Sequence, residues 1–301
     1  MRSTSSIMRH STISTFQVNS GRSVGYIATY FGYCLWLIAL AFFWDFEEPN
    51  KLNTVFVVLL VFGLGLTLIF IAQKWRLISA AHLWIFIFIL KLTLSFFITY
   101  YFWMLPLSPD NLRTEQKYAV QDSNVYDLEA KMLAEEGSDA QLIGLWLDFG
   151  IVRYLDAIYK VFGVSVLYVS MFNGLLSLAG FIALAGFLKQ LDELSIIKWQ
   201  WISLGMLLPH MAYYDATPSK EPLTHFAFYV SLLLFTLIIF SKKNIAINTL
   251  LLFIVCLLLG LIRLNVLMLI FALFFFFIYR EQRFILLRKP RFYRVGQLFS
   301  W

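Results

Sequence analysis

Charge is scarce in this chain, and the scarcity excludes an ordinary soluble globule. Only 14% of the 301 residues are Asp, Glu, Lys or Arg, against 60% apolar residues, too little polar side chain to cover a water-facing surface. Cysteine is nearly absent. Cys34 and Cys256 lie in apolar runs without a CxxC spacing, so they read as packing residues and say nothing about redox compartment. His10, His82, His210 and His225 show no HExxH or paired spacing, so no metal centre is expected from them. No GxGxxG occurs and no Gly-rich loop leads into Lys-Ser or Lys-Thr, which removes the usual cradles for a nucleotide phosphate.

What the chain does contain is hydrocarbon. Its apolar runs match the roughly 17–25 residues a helix needs to cross a bilayer core, and they lack the apolar/polar alternation of barrel strands. The expected fold is an all-α polytopic membrane protein with about eight transmembrane helices, over 24–44, 54–72, 83–105, 164–187, 197–213, 223–240, 245–261 and 264–279. Lys198, Gln200 and Pro209 interrupt the fifth run, and the eighth is short. The expected organisation is a flexible tail over 1–23, a membrane domain over 24–279 with a large outside loop at 106–163, and a basic tail over 280–301.

Basic residues are retained on the cytoplasmic side of short loops. Alternating the runs from an inside amino terminus puts Arg2, Arg9, Arg22, Lys74, Arg76, Lys189, Lys242, Lys243 and the tail from Arg280 to Arg294 inside, and most carboxylates outside. Both termini are therefore expected in the cytoplasm, and the net charge of +6 reads as a topology signal rather than a nucleic-acid footprint. The tail, with Phe284, Phe292 and Tyr293 among its cations, suits anionic lipid.

The long polar segment carries the candidate chemistry. Residues 122–136 favour helix, with Gly137 as its stop. Asp122, Tyr126 and Glu129 share one face by spacing, and Val125, Leu128 and Met132 share a neighbouring apolar one. Asp122 is a candidate base or, equally, a helix cap. Residues 141–160 read as a second helix lying in the interface, with Trp146, Tyr154 and Tyr159 at headgroup depth and an Asp156–Lys160 pair; it is a lid or one wall of a groove for a lipid tail. On the same side fall His210, Lys220 and Glu221 in the loop 209–222, and Arg263 between two apolar runs, where an arginine is expensive and marks a functional site by default. Lys91, inside a run, reads as snorkelling or internally paired. The carboxylates otherwise fall at the edges of the runs, which counts against ion-coupled transport.

The order Asp122-x-x-x-Tyr126, an amphipathic stretch, Tyr159-Lys-Val-Phe-Gly163, Asn173, Pro209, Ser219-Lys-Glu-Pro222 and Leu261-Ile-Arg263 resembles the GT-C class of polytopic glycosyltransferases that use polyprenyl-phosphate sugars, relatives of protein O-mannosyltransferases included. The resemblance spans roughly Asp122 to Asn265. It implies an acidic base in the first large outside loop, matched by Asp122 with Glu129 as a helical neighbour, and lipid-phosphate ligands matched by Lys220 and Arg263, with Tyr126, Glu221 and His210 beside the substrate. Two departures stand out: two apolar runs precede the helix that leads into the Asp122 loop, and Ser123 occupies the position where the class commonly has a second acid. The implied partners are a polyprenyl-phosphate-linked sugar and membrane lipid, with no nucleic acid. No cofactor is expected; Asp122 and Glu129, two turns apart on one helix, could together hold a divalent cation, but carboxylates so spaced are more often a solvated helix face. The expected setting is the outer face of a bacterial-type inner membrane. The alternatives are a polysaccharide polymerase or ligase acting on lipid-linked glycans, and a non-enzymatic transporter or assembly subunit.

Overall fold

The computed structural model describes residues 20–43, 51–101, 122–136, 149–190, 199–241, 244–273 and 275. Every regular element among them is helical. In chain order these are α1 (Ser20–Phe43), α2 (Lys51–Lys74), α3 (Ala81–Thr99), α4 (Asp122–Glu136), α5 (Phe149–Phe162), α6 (Val166–Gln190), a 3₁₀ segment (Trp199–Leu207), α7 (Pro209–Asp215), α8 (Glu221–Thr236) with a π turn (Leu237–Ser241), α9 (Ile245–Ile262) and α10 (Leu264–Leu273). The tails and most of the loop that carries Trp146 lie outside the described residues.

Five segments are long and apolar enough to cross a membrane: Lys51–Lys74, Ala81–Thr99, Val166–Gln190, Glu221–Ile239 and Ile245–Ile262. Ala28–Phe42 and Leu264–Leu273 are shorter apolar helices. The chain is an all-α, multi-pass membrane protein. The core is built where α2, α3 and α6 meet, around Phe62, Trp84, Phe88 and Tyr168. In contrast, α9 turns Ile247, Leu250, Phe253, Leu257 and Leu261 outward, the all-round apolar surface of a helix that meets lipid. Close approach of α2 to α3 needs a glycine: a methyl at Gly65 would overlap the buried Phe88 ring. Gly65→Ala is expected to destabilise by about 1–3 kcal/mol through overpacking, read as a lower unfolding midpoint in detergent.

The fifth apolar run differs from its expectation. It is not one helix but two pieces, because Pro209 lacks an N–H and its ring drives Leu208 out of helical geometry, to φ −57° and ψ 135°. Nine 3₁₀ residues followed by seven α residues rise about 18 Å and about 10 Å. The helix resumes at Pro209, so the first half of the expected loop 209–222 is α7.

The helix pair expected at the interface, α4 and α5, also packs differently from its sequence pattern. In α4 it is Tyr126, Asp127, Glu129, Ala130 and Leu133 that are buried, while Val125 and Leu128 are exposed. Against α4, α5 turns Tyr159 inward, its hydroxyl donating to Asp127, and Asp127 also pairs with Lys131 at 2.8 Å. Tyr154 likewise points inward, so neither tyrosine serves as the headgroup anchor expected of it. The Asp156–Lys160 pair is present at 2.9 Å.

Candidate active site at the connection between α7 and α8

The site begins with a charge in the wrong solvent. Lys91 lies ten residues into α3, about 15 Å from its start. Its amine donates to the Met206 carbonyl at 2.8 Å and stands 2.7 Å from Asp215 Oδ2, with essentially no exposure of either side chain. The expectation that carboxylates keep to the edges of the apolar runs fails at Asp215. An unpaired ion there would be prohibitive, and pairing makes it tolerable. Asp215 Oδ1 is buried without a hydrogen-bond donor among the described residues, and Ser177 of α6 faces the carboxylate without a hydrogen bond of normal geometry.

This pin fixes the end of α7, and local hydrogen bonds shape the residues after it. The Thr217 and Ser219 hydroxyls both donate to the Tyr214 carbonyl at 3.0 Å, and the Thr224 hydroxyl caps back to Lys220 at 2.7 Å. Pro218 and Pro222 stiffen the same stretch. Neighbouring helices satisfy its buried carbonyls: Thr99 of α3 donates to Ala216, and Asn173 of α6 donates to Thr217 at 3.0 Å. Asn173 in turn accepts from Tyr154 of α5 at 3.0 Å. Burial and the Asp215 carboxylate hold the Tyr154 phenol above its ordinary range, so it stays a neutral donor. A short polar connection is thus held by α3 and α6 directly and by α5 through Asn173.

The connection delivers Lys220 and Glu221 to the outer helices. Lys220 Nζ donates to the Tyr126 hydroxyl at 3.0 Å and sits 5.5 Å from that ring's centroid, a cation–π geometry. Glu221, the first residue of α8, accepts from Arg263 Nη2 at 3.0 Å. Arg263 occupies the extended joint between α9 and α10, with its side chain 41% exposed. Comparison with protein-family models, curated proteins and solved structures finds no match. The geometry of the site therefore carries the functional reading.

Of the residues singled out in the sequence, Tyr126, Lys220, Glu221 and Arg263 come together in one continuous contact chain. Asp122 is the first residue of α4, one turn before Tyr126. Glu129, one turn after it, is 3% exposed with Oε1 lacking a hydrogen-bond partner. His210 is exposed in the first turn of α7, within electrostatic range of His225. No cluster of three or more metal-ligating side chains occurs among the described residues. Sequence reading missed the pairing of Asp215 with Lys91 and the inward bond of Tyr154 to Asn173; it placed His225 near this face without giving it a role. The lone Lys91 in an apolar run was the signal for Asp215, because a buried cation requires an anion and Asp215 also lies in a mostly apolar stretch.

A cavity of about 200 Å³ lies elsewhere, between α8, α9 and α10, lined by Phe235, Phe253, Cys256, Ile270 and Phe271 with Ser231. It has the chemistry of a hydrocarbon slot and holds no charged group.

Proposed function

We propose that this chain is a membrane glycosyltransferase that moves a sugar from a polyprenyl-phosphate carrier to an acceptor hydroxyl. The observation that carries the reading is a chain of contacts: Lys220 bonds Tyr126, one turn after Asp122 on α4, and its sequence neighbour Glu221 bonds Arg263 from a separate part of the chain. One cation at the end of the α7–α8 connection and a second reached through Glu221 suit a phosphate whose charge grows as its bond to sugar C1 breaks. Arg263 offers a fork and Lys220 a mobile point charge. Asp122 supplies the base: as the acceptor oxygen attacks C1, its proton passes to the carboxylate, and the C1–O bond to phosphate breaks with inversion.

In this reading α4 and α5 close the outer face of the membrane over the site, both termini are cytoplasmic, and the membrane is a bacterial-type inner membrane. The test is sugar release from a panel of polyprenyl-phosphate sugars by purified protein in nanodiscs. Lys220→Ala and Arg263→Ala are each expected to weaken donor affinity about 10- to 100-fold, the range for losing a hydrogen bond to a charged group. Unchanged affinity in both variants contradicts the assignment.

One observation favours a second reading as a transporter. The crossing over 199–215 is broken, and a charge pair is buried against it, the arrangement expected where a helix unwinds around a transported ion or solute. Vesicle uptake abolished by Asp215→Asn, with no sugar release by wild type, would favour transport over transfer.

A further inference from the structure

The Arg263 guanidinium is not vacant; a carboxylate of the same chain occupies it. Glu221 Oε1 accepts from Nη2 at 3.0 Å, and the two side chains are 18% and 41% exposed, so an incoming anion reaches Arg263 only by competing with Glu221. One helical turn further along α8 stands a second partner for that carboxylate. His225 Nδ1 is buried with no hydrogen-bond partner among the described residues, while its ring stacks on Tyr229 at 6.2 Å and 15°. Residues four apart on a helix have their side chains about 5–6 Å apart at Cβ, within the swing of a glutamate.

The charged groups around His225 are Glu221 from its own helix, His210 from α7 and Arg263 from the joint between α9 and α10. The positions of α6 that meet α8 on either side are Gly180, against Phe226 and Tyr229, and Gly186, against Leu233. From α9 the nearest titratable side chain is Cys256, which interacts with Ser231, nearly two turns deeper. Glu221 is therefore the single carboxylate among these groups, bonded to a permanent cation and one helical turn from a titratable ring.

We propose that Glu221 is a displaceable counter-ion and that His225 receives it. An anion binding at Arg263 breaks the Nη2–Oε1 hydrogen bond. The freed carboxylate turns toward His225, whose Nδ1 takes one proton from water and donates the resulting N–H to Glu221. When the anion leaves, the carboxylate returns to Arg263 and the proton is released. Binding is thus coupled to uptake of one proton, and the site keeps its electrical balance with and without ligand. This inference rests on the proposed reading in taking a lipid phosphodiester as the anion.

The sign comes from linkage. Pairing with Glu221 favours the protonated ring in the bound state, so affinity rises as pH falls through the range in which free imidazole titrates. The probe must not titrate itself. A polyprenyl-phosphate sugar is a diester and lacks the second ionisation of a phosphomonoester, near 6.

The experiment is calorimetric titration of the full chain in nanodiscs with a polyprenyl-phosphate sugar and no acceptor, repeated at about pH 6.5, within the range of free imidazole, in two buffers of different ionisation enthalpy. Wild type is expected to take up a substantial fraction of one proton per donor bound. His225→Gln should bind with uptake near zero, and Glu221→Gln should bind about two- to fivefold more tightly, the range an exposed ion pair is worth, also without uptake. Donor binding by wild type without proton uptake, or uptake that persists in His225→Gln, overturns this inference and leaves the transferase reading standing. Weaker binding by folded Glu221→Gln overturns it too. No binding of any donor by folded wild type overturns both.

Discussion

Asp215→Ala is expected to destabilise the protein by about 3–5 kcal/mol, the cost of stranding a buried charge. The reason lies in what Lys91 would have left. Its amine is fully buried, and only the Met206 carbonyl would remain beside it, a dipole in place of a counter-charge. The loss would also free the end of α7 and so loosen the connection that presents Lys220 and Glu221. Removing both charges has a different outcome. In Lys91→Met/Asp215→Leu the volumes are roughly kept and no ion is desolvated, so most of the lost stability should return. The shift in unfolding midpoint, measured by titration with a denaturing detergent for the two single variants and the double variant, checks both statements. Near-additive losses in the double variant would show that the pair does not act as a unit.

The second large effect is chemical. Asp122→Asn is expected to lower the rate of sugar transfer about 10²- to 10⁴-fold, the contribution typical of a positioned general base, with donor affinity retained. The amide is nearly isosteric and can begin α4 as the carboxylate does, but it cannot accept the acceptor's proton. Single-turnover transfer measured beside donor binding separates these roles. Loss of binding together with rate would instead make Asp122 a helix-starting residue whose removal disorders Tyr126 and, through it, Lys220. Glu129→Gln provides the comparison: its Oε1 is buried without a hydrogen-bond partner, so a rate loss there as large as that of Asp122→Asn would reassign the base.

Much of this architecture was legible in the residues, and the failures have physical causes. Hydropathy alone marked runs over 54–72, 83–105, 164–187, 223–240 and 245–261, each overlapping a helix long and apolar enough to cross a membrane, because a bilayer core penalises polar backbone and side chains at every position along a span. Helix propensity and Gly137 placed α4 at its observed bounds. The expected helix over 197–213 failed because hydropathy measures solvent preference and says nothing of the backbone break that Pro209 forces. The buried face of α4 was misjudged for a related reason. The buried side of α4 meets polar partners, Tyr159 of α5 at Asp127 and Lys220 at Tyr126, so polar residues point in, while Val125 and Leu128 are exposed.

The candidate site shows the same division. Lys220, Glu221 and Arg263 stood out because a charge beside an apolar run is conspicuous, and the structure links them directly or through Tyr126. Asp215 did not stand out, since its partner Lys91 is more than a hundred residues away and pairing at that separation is set by helix packing. Tyr154 and Asn173 are likewise ordinary residues until α5 and α6 bring them to the Thr217 carbonyl. Those contacts and the Thr99 bond to Ala216 tie the connection to α3 and α6; in the proposed transferase reading, a platform fixed in this way would hold the donor phosphate in register with the base.

The most direct test of transferase activity is sugar release by the wild-type chain, reconstituted in nanodiscs and supplied with polyprenyl-phosphate sugars and an acceptor alcohol. Release is expected from at least one donor, abolished in Lys220→Ala/Arg263→Ala with the unfolding midpoint unchanged. A folded wild type that neither binds nor cleaves any of these donors would contradict the proposed function.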